Sequence, residues 1–91
     1  MNNAKELLEK YIKNTEKVFK KLKIIPPNDL LIKSSLEYNI SLSKNYFEDS
    51  KYYFNKGEYI TGIVCIAYCE GILDACKNFG WIKWDDEKWE Y

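Results

Sequence analysis

The chain has no histidine and no arginine in its 91 residues. The first absence removes the side chain that most often serves as a general base near neutral pH and as a metal ligand. The second removes the planar fork best suited to bidentate contacts with phosphates and base edges, so the composition argues against nucleic-acid recognition. Two prolines and four glycines are too few punctuators for a β-protein made of many short strands and turns. Three cysteines, at 65, 69 and 76, are an odd number inside an apolar run, which speaks against a disulfide framework and fits a reducing cytosol. The opening residues, Met1-Asn2-Asn3-Ala4-Lys5-Glu6, lack an apolar signal core. The longest uncharged apolar stretch, Tyr59 to Cys69, is eleven residues, where a membrane span needs ~20. Together these features predict a cytoplasmic protein that neither crosses nor binds a membrane.

What the chain does contain is typical of a small globular domain: 46% apolar and 31% charged residues, with eight Tyr, four Phe and three Trp. Its formal net charge is zero but unevenly placed. Residues 1–23 carry seven Lys and three Glu, whereas residues 57–91 carry three Lys and seven acids. One domain, residues 1–91, is expected.

Periodicity divides that domain into three helices, at about 3–23, 29–56 and 58–79, followed by a tail over 80–91. In the first, Ala4, Leu7, Leu8, Tyr11, Ile12, Thr15, Val18, Phe19 and Leu22 recur at three- and four-residue steps. Lys10, Lys13, Lys17 and Lys21 fall opposite, and Glu6–Lys10, Glu9–Lys13 and Glu16–Lys20 are i,i+4 pairs in the favoured order. Pro26-Pro27 ends this helix, and Asn28 or Asp29 can cap the next. The second helix presents Ile32, Leu36, Ile40, Ser43, Phe47, Ser50 and Phe54 as a core stripe, widened on one flank by Leu42, Tyr46 and Tyr53. Ser43 and Ser50 are small enough to let a neighbour approach closely. Gly57 and Gly80 stand where left-handed C′ residues would close the second and third helices. The third helix is apolar nearly all round through Ala67, which predicts that it is the most buried. Short connections make neighbours antiparallel, giving an all-α, up-down-up three-helix bundle. The second helix should overhang the others, and the tail Trp81-Ile82-Lys83-Trp84 is expected to fold back as an apolar lid over Ile24, Ile25, Leu30 and Leu31.

Two segments carry a resemblance. Asp49-Ser50-Lys51-Tyr52-Tyr53-Phe54-Asn55-Lys56-Gly57-Glu58-Tyr59 and Ala67-Tyr68-Cys69-Glu70-Gly71-Ile72-Leu73-Asp74-Ala75 resemble the small archaeal family known as domain of unknown function 357. The shared pattern is a helix end with an aspartate, a Lys-Gly-acid-Tyr turn and a Tyr-Ala-Glu-Gly-Leu-Leu-Asp-Ala helix, over residues 49–80. Cys69 and Gly62 stand where the pattern has alanine. The resemblance implies a three-helix bundle and an archaeal source, and no activity. Helical proteins that accompany nucleotidyltransferases read similarly, which keeps open an accessory role in a nucleotide- or RNA-related enzyme system.

Candidate sites are few. Glu70 and Asp74 lie one turn apart and Lys77 continues their stripe, as a solvated face or a polar network that fixes helix register. Two carboxylates from one helix are too few for a hard cation, and no histidine is available to complete an acid–base pair. The three cysteines share a face with Ile72, and without a fourth ligand they read as buried thiols and not as a zinc site. The Lys stripe of the first helix reads as a solvated face. Trp84, Trp89 and Tyr91 sit among Asp85, Asp86, Glu87 and Glu90, either as part of the lid or as an anchor for a partner. No catalytic residue, metal or cofactor is expected. The expectation is a non-enzymatic module that binds a protein or a second copy of itself, through a surface drawn from Tyr46, Tyr53, Glu70, Asp74, Trp84 and Trp89.

Overall fold

The structure, a computed structural model, describes residues 3–84. Three helices, α1 (Asn3–Lys21), α2 (Leu30–Asn55) and α3 (Tyr59–Asn78), form an up-down-up bundle, with two-residue strands β1 (Lys23–Ile24) and β2 (Ile82–Lys83) tying one end. Each boundary has a local cause. Asp29 caps α2, its Oδ1 accepting from the amides of Leu31 at 2.9 Å and Ile32 at 3.0 Å. Gly57 and Gly80 adopt φ of 76° and 81°. Around each, the two crossed bonds of a Schellman cap close the helix: Gly57 to Phe54 and Glu58 to Tyr53, then Gly80 to Lys77 and Trp81 to Cys76. Of the helix-one ion pairs, Glu16–Lys20 is present at 3.8 Å.

The core runs through Leu8 and Val18 of α1, Leu36, Ile40 and Phe47 of α2, and Ile66, Cys69, Leu73 and Cys76 of α3. α2 and α3 share the largest interface, and α1 packs more on α3 than on α2. Small residues permit the close approach. Ser43 and Ser50 are fully buried, and each hydroxyl donates back into its own helix, to Ile40 O at 2.8 Å and Phe47 O at 2.6 Å. At Gly62 a Cβ would collide with Leu8 Cδ2 and lie 3.3 Å from the Ser50 carbonyl oxygen, so all three helices meet there. Glycine at this position leaves the room that Leu8 of α1 occupies.

The tail does fold back onto Ile24 and Ile25, as expected, but not over Leu30 and Leu31. β2 pairs antiparallel with β1, Ile82 opposite Ile24 and Lys83 opposite Lys23, and Ile25 N donates to Trp81 O at 2.6 Å. Ile82 and Trp84 become buried. Leu30 and Leu31 nevertheless stay 79% and 81% exposed. The antiparallel register carries residues 82–84 back toward the end of α1, away from the first turn of α2. α2 therefore overhangs, and the molecule is elongated, 49 × 24 × 17 Å.

α3 is, among the described residues, a helix long and apolar enough to cross a bilayer by length and composition. Here it occupies the bundle's centre, with five of its 20 residues buried, against five of 26 in α2 and three of 19 in α1. It is the most buried helix in that sense, yet among the described residues one side of it has no neighbour.

The seam at Gly62 yields a test. Alanine there gains about 0.5–1 kcal/mol of helix propensity, but overpacking against the enclosed Leu8 costs about 1–3 kcal/mol. Denaturant titration of Gly62→Ala should show a net loss of stability, and an unchanged or higher midpoint would show a looser seam.

Candidate functional site

Three sides of α3 are accounted for by the fold. Gly62, Ile66, Cys69, Leu73 and Cys76 make the buried face. A second side turns toward α1 and the tail and carries the polar residues. Thr15, fully buried on α1, donates from Oγ1 to Glu70 Oε2 at 3.5 Å, and Lys77 Nζ lies 4.1 Å from the centre of the Trp84 ring. A third side, with Ile72, borders α2.

The fourth side is open and mostly apolar, with exposed Thr61 and Asn78 at its edges. Ile60, Val64, Tyr68 and Phe79 are 69%, 51%, 59% and 67% exposed, with exposed Gly71 and Ala75 between them. At 100° per residue these six positions fall within an arc of about 100°, roughly opposite the buried face. None is charged. Two of the aromatic rings are held in place: Tyr68 stacks on Tyr46 of α2 at 5.2 Å and 17°, and Phe79 stacks on Trp81 at 4.8 Å and 25°. Beside this face a groove of about 540 Å³ opens between α2 and α3, with Ser35, Leu36 and Asn39 on one wall and Tyr68, Ile72, Ala75 and Phe79 on the other.

The residues singled out from sequence scatter around this geometry. Tyr46 is half-buried and supports Tyr68. Tyr53 is half-buried, edge-to-face with Tyr52 at 5.2 Å. Glu70 is half-buried and faces α1, and Asp74 is exposed one turn on. Trp84 is buried under Lys77 and committed to packing within the chain. Trp89 lies outside the described residues, as does Tyr91. Sequence reasoning missed the open face of α3. Its signal was present, because a helix apolar nearly all round through Ala67 cannot be covered on all those sides by only two neighbours.

The titratable groups offer little chemistry. Burial, with a smaller contribution from Glu70, pushes the Cys69 thiol up to about 12. Burial also raises Cys65, helped by Asp49, and Cys76. All three thiols are free, and none is in the electropositive setting that makes a cysteine reactive. Burial raises the Asp74 carboxyl, and Lys77 partly offsets this. Among the described residues no three His, Cys, Asp or Glu side chains are grouped closely enough to hold a metal ion, and no buried side-chain polar atom lacks a hydrogen-bond partner.

Comparison with known proteins adds the following. A family model described as "Protein of unknown function (DUF357)" matches residues 10–82. The fold is similar to the crystal structure of protein AF1782 from Archaeoglobus fulgidus, also of DUF357, with a TM-score of 0.68, 17% identity, and coverage of 90% of this chain and 93% of that one. At that identity the likeness concerns the fold. No curated protein matches the chain in sequence.

The electrostatics set two expectations. At pH 8 a thiol-disulfide reagent should label Cys69 on the order of 1,000-fold more slowly than a free thiol, given its small thiolate fraction. Labelling of Cys69 at the free-thiol rate in the folded chain would contradict its burial. For Asp74, a folded pKa above the unfolded value means the ionised form is disfavoured on folding, so its contribution to stability improves as pH falls through the folded value. Asp74→Asn should therefore raise the melting temperature slightly at pH 7, and the difference should vanish below the carboxyl range. A lower melting temperature at pH 7 would mean that the Lys77 attraction outweighs burial.

Proposed function

The chain belongs to the DUF357 family, and on that premise we propose that it is a non-enzymatic docking module whose working surface is the open face of α3. The observation that carries this reading is the run of large uncharged side chains at Ile60, Val64, Tyr68 and Phe79, each more than half exposed, next to an apolar groove. Monomeric soluble proteins rarely leave contiguous apolar patches of more than a few hundred Å² uncovered, and such patches mark interaction sites. With two aromatic residues each leaving on the order of 100 Å² uncovered, this face reaches that range. Pre-stacking on Tyr46 and Trp81 supports the reading as well. Rings already held in one rotamer lose little entropy on binding, so more of the burial is available as affinity.

Enzymatic function has less support. The Thr15 hydroxyl, which reaches Glu70 at 3.5 Å, is fully buried away from any substrate, and the raised thiols leave Cys65, Cys69 and Cys76 protonated near neutral pH. The groove is lined mostly by carbon, with the Asn39 amide and the hydroxyls of Ser35 and Tyr68 as its main polar groups. That is a surface for burying apolar area and not for polarising a bond. A cytoplasmic partner fits three cysteines that are all free.

Site-specific photo-crosslinking in the native cell tests this. A crosslinking residue at Val64 or Phe79 should give discrete adducts, whereas one at Lys44, on the exposed polar side of α2, should give none. Equal adduct yields at the three positions, or none at 64 and 79, would remove the assignment of this face.

A further inference from the structure

The geometry points to a second copy of this chain as the occupant of the open face, the two α3 helices packing antiparallel about a twofold axis that passes level with the Cys69–Glu70 peptide. This rests on the docking reading above and deepens it. The six outward positions, Ile60, Val64, Tyr68, Gly71, Ala75 and Phe79, are separated by steps of four, four, three, four and four residues. That order reads the same in both directions. An antiparallel pair about that centre therefore sets every position of the stripe against another position of the same stripe, as an isologous contact does, residue i meeting j while j meets i.

The residue types complete the match. Antiparallel pairing about that centre places Tyr68 against Gly71 of the other copy, Val64 against Ala75 and Ile60 against Phe79. Large faces small in the two inner pairs, so the Tyr68 ring enters the space that Gly71 leaves empty. At Gly71 a Cβ would have nothing within 4 Å among the described residues, so no packing among them calls for glycine there. The mean step is about 3.8 residues, longer than the 3.6 of one helical turn, so the stripe winds around α3 in the sense that gives a right-handed crossing. Helices crossing in that hand pack i±4 ridges together, approach most closely at the crossing point and diverge toward their ends. Glycine and alanine accordingly lie near the crossing, and Ile60 and Phe79 lie at the ends, where side chains have to reach further.

Area and charge agree with this occupant. The four large side chains, the small residues between them and the groove rim bring a symmetric pair to the roughly 1,000 Å² that a specific interface needs. No charged side chain lies on the stripe, and the formal net charge of the chain is zero, so neither local nor overall repulsion opposes self-association.

Sedimentation equilibrium on the full chain and three variants tests both the partner and the register. Wild type should be a dimer. Val64→Lys and Ala75→Glu each place an unpaired charge in the interface twice, and each should weaken dimerisation at least about 100-fold. The double variant V64K/A75E should recover dimerisation, because the introduced ammonium and carboxylate then face each other across both halves of the pair. Both positions are exposed, so the helical circular-dichroism signal should be unchanged throughout. A wild type that stays monomeric to about millimolar overturns this inference; if position 64 still crosslinks to another protein in the cell, the docking reading survives it. A dimer indifferent to the single changes, or a double variant that remains monomeric, also overturns it.

Discussion

The close seam at Gly62 determines how the rest of the molecule is arranged. Three helices converge at one point because α3 offers no side chain there, Leu8 of α1 fills the space, and the Ser50 carbonyl of α2 lies within van der Waals reach of where a Cβ would be. Ser43 and Ser50 continue the small surface along α2, with their hydroxyls satisfied inside their own helix, so that a polar residue can be fully buried without a partner across the interface. A helix held that tightly by two others is covered on the side they share. Among the described residues nothing remains to cover its far side, so the apolar character of α3 has two consequences: a core on one face and an open stripe on the other.

Much of this could be read from the sequence. The α1 stripe, the breaks at Pro26-Pro27 and Gly57, the C′ glycine at Gly80 and the small residues Ser43 and Ser50 are local signals, each with a local physical cause, and the three-helix architecture follows from them. What could not be read depends on relations between distant residues. Two-residue strands have no periodicity, so the β1–β2 register, and with it the exposure of Leu30 and Leu31, has no signature in the sequence. The contact of Glu70 with Thr15 joins residues 55 positions apart. For α3 the hydrophobic pattern was legible but its consequence was misjudged, since a helix apolar nearly all round is buried all round only when enough neighbours exist.

The chemistry of the side chains is consistent with a module that binds and does not react. The thiols are raised by burial, the Glu70 carboxylate faces Thr15 of α1, and Trp84 is held beneath Lys77. The large side chains on the open face are hydrocarbon and two ring systems already stacked against the fold. Their value lies in area, shape and rigidity, which are the quantities that govern protein association.

The central claim is that α3 is left uncovered on one side, and hydroxyl-radical footprinting of a dilute monomeric solution measures this residue by residue. The account predicts rapid oxidation of Tyr68, Phe79, Ile60 and Val64 alongside protection of Ile66 and Leu73 on the opposite face of the same helix. Protection of all six would mean that the far side of α3 is covered within a single chain, and the account would fail.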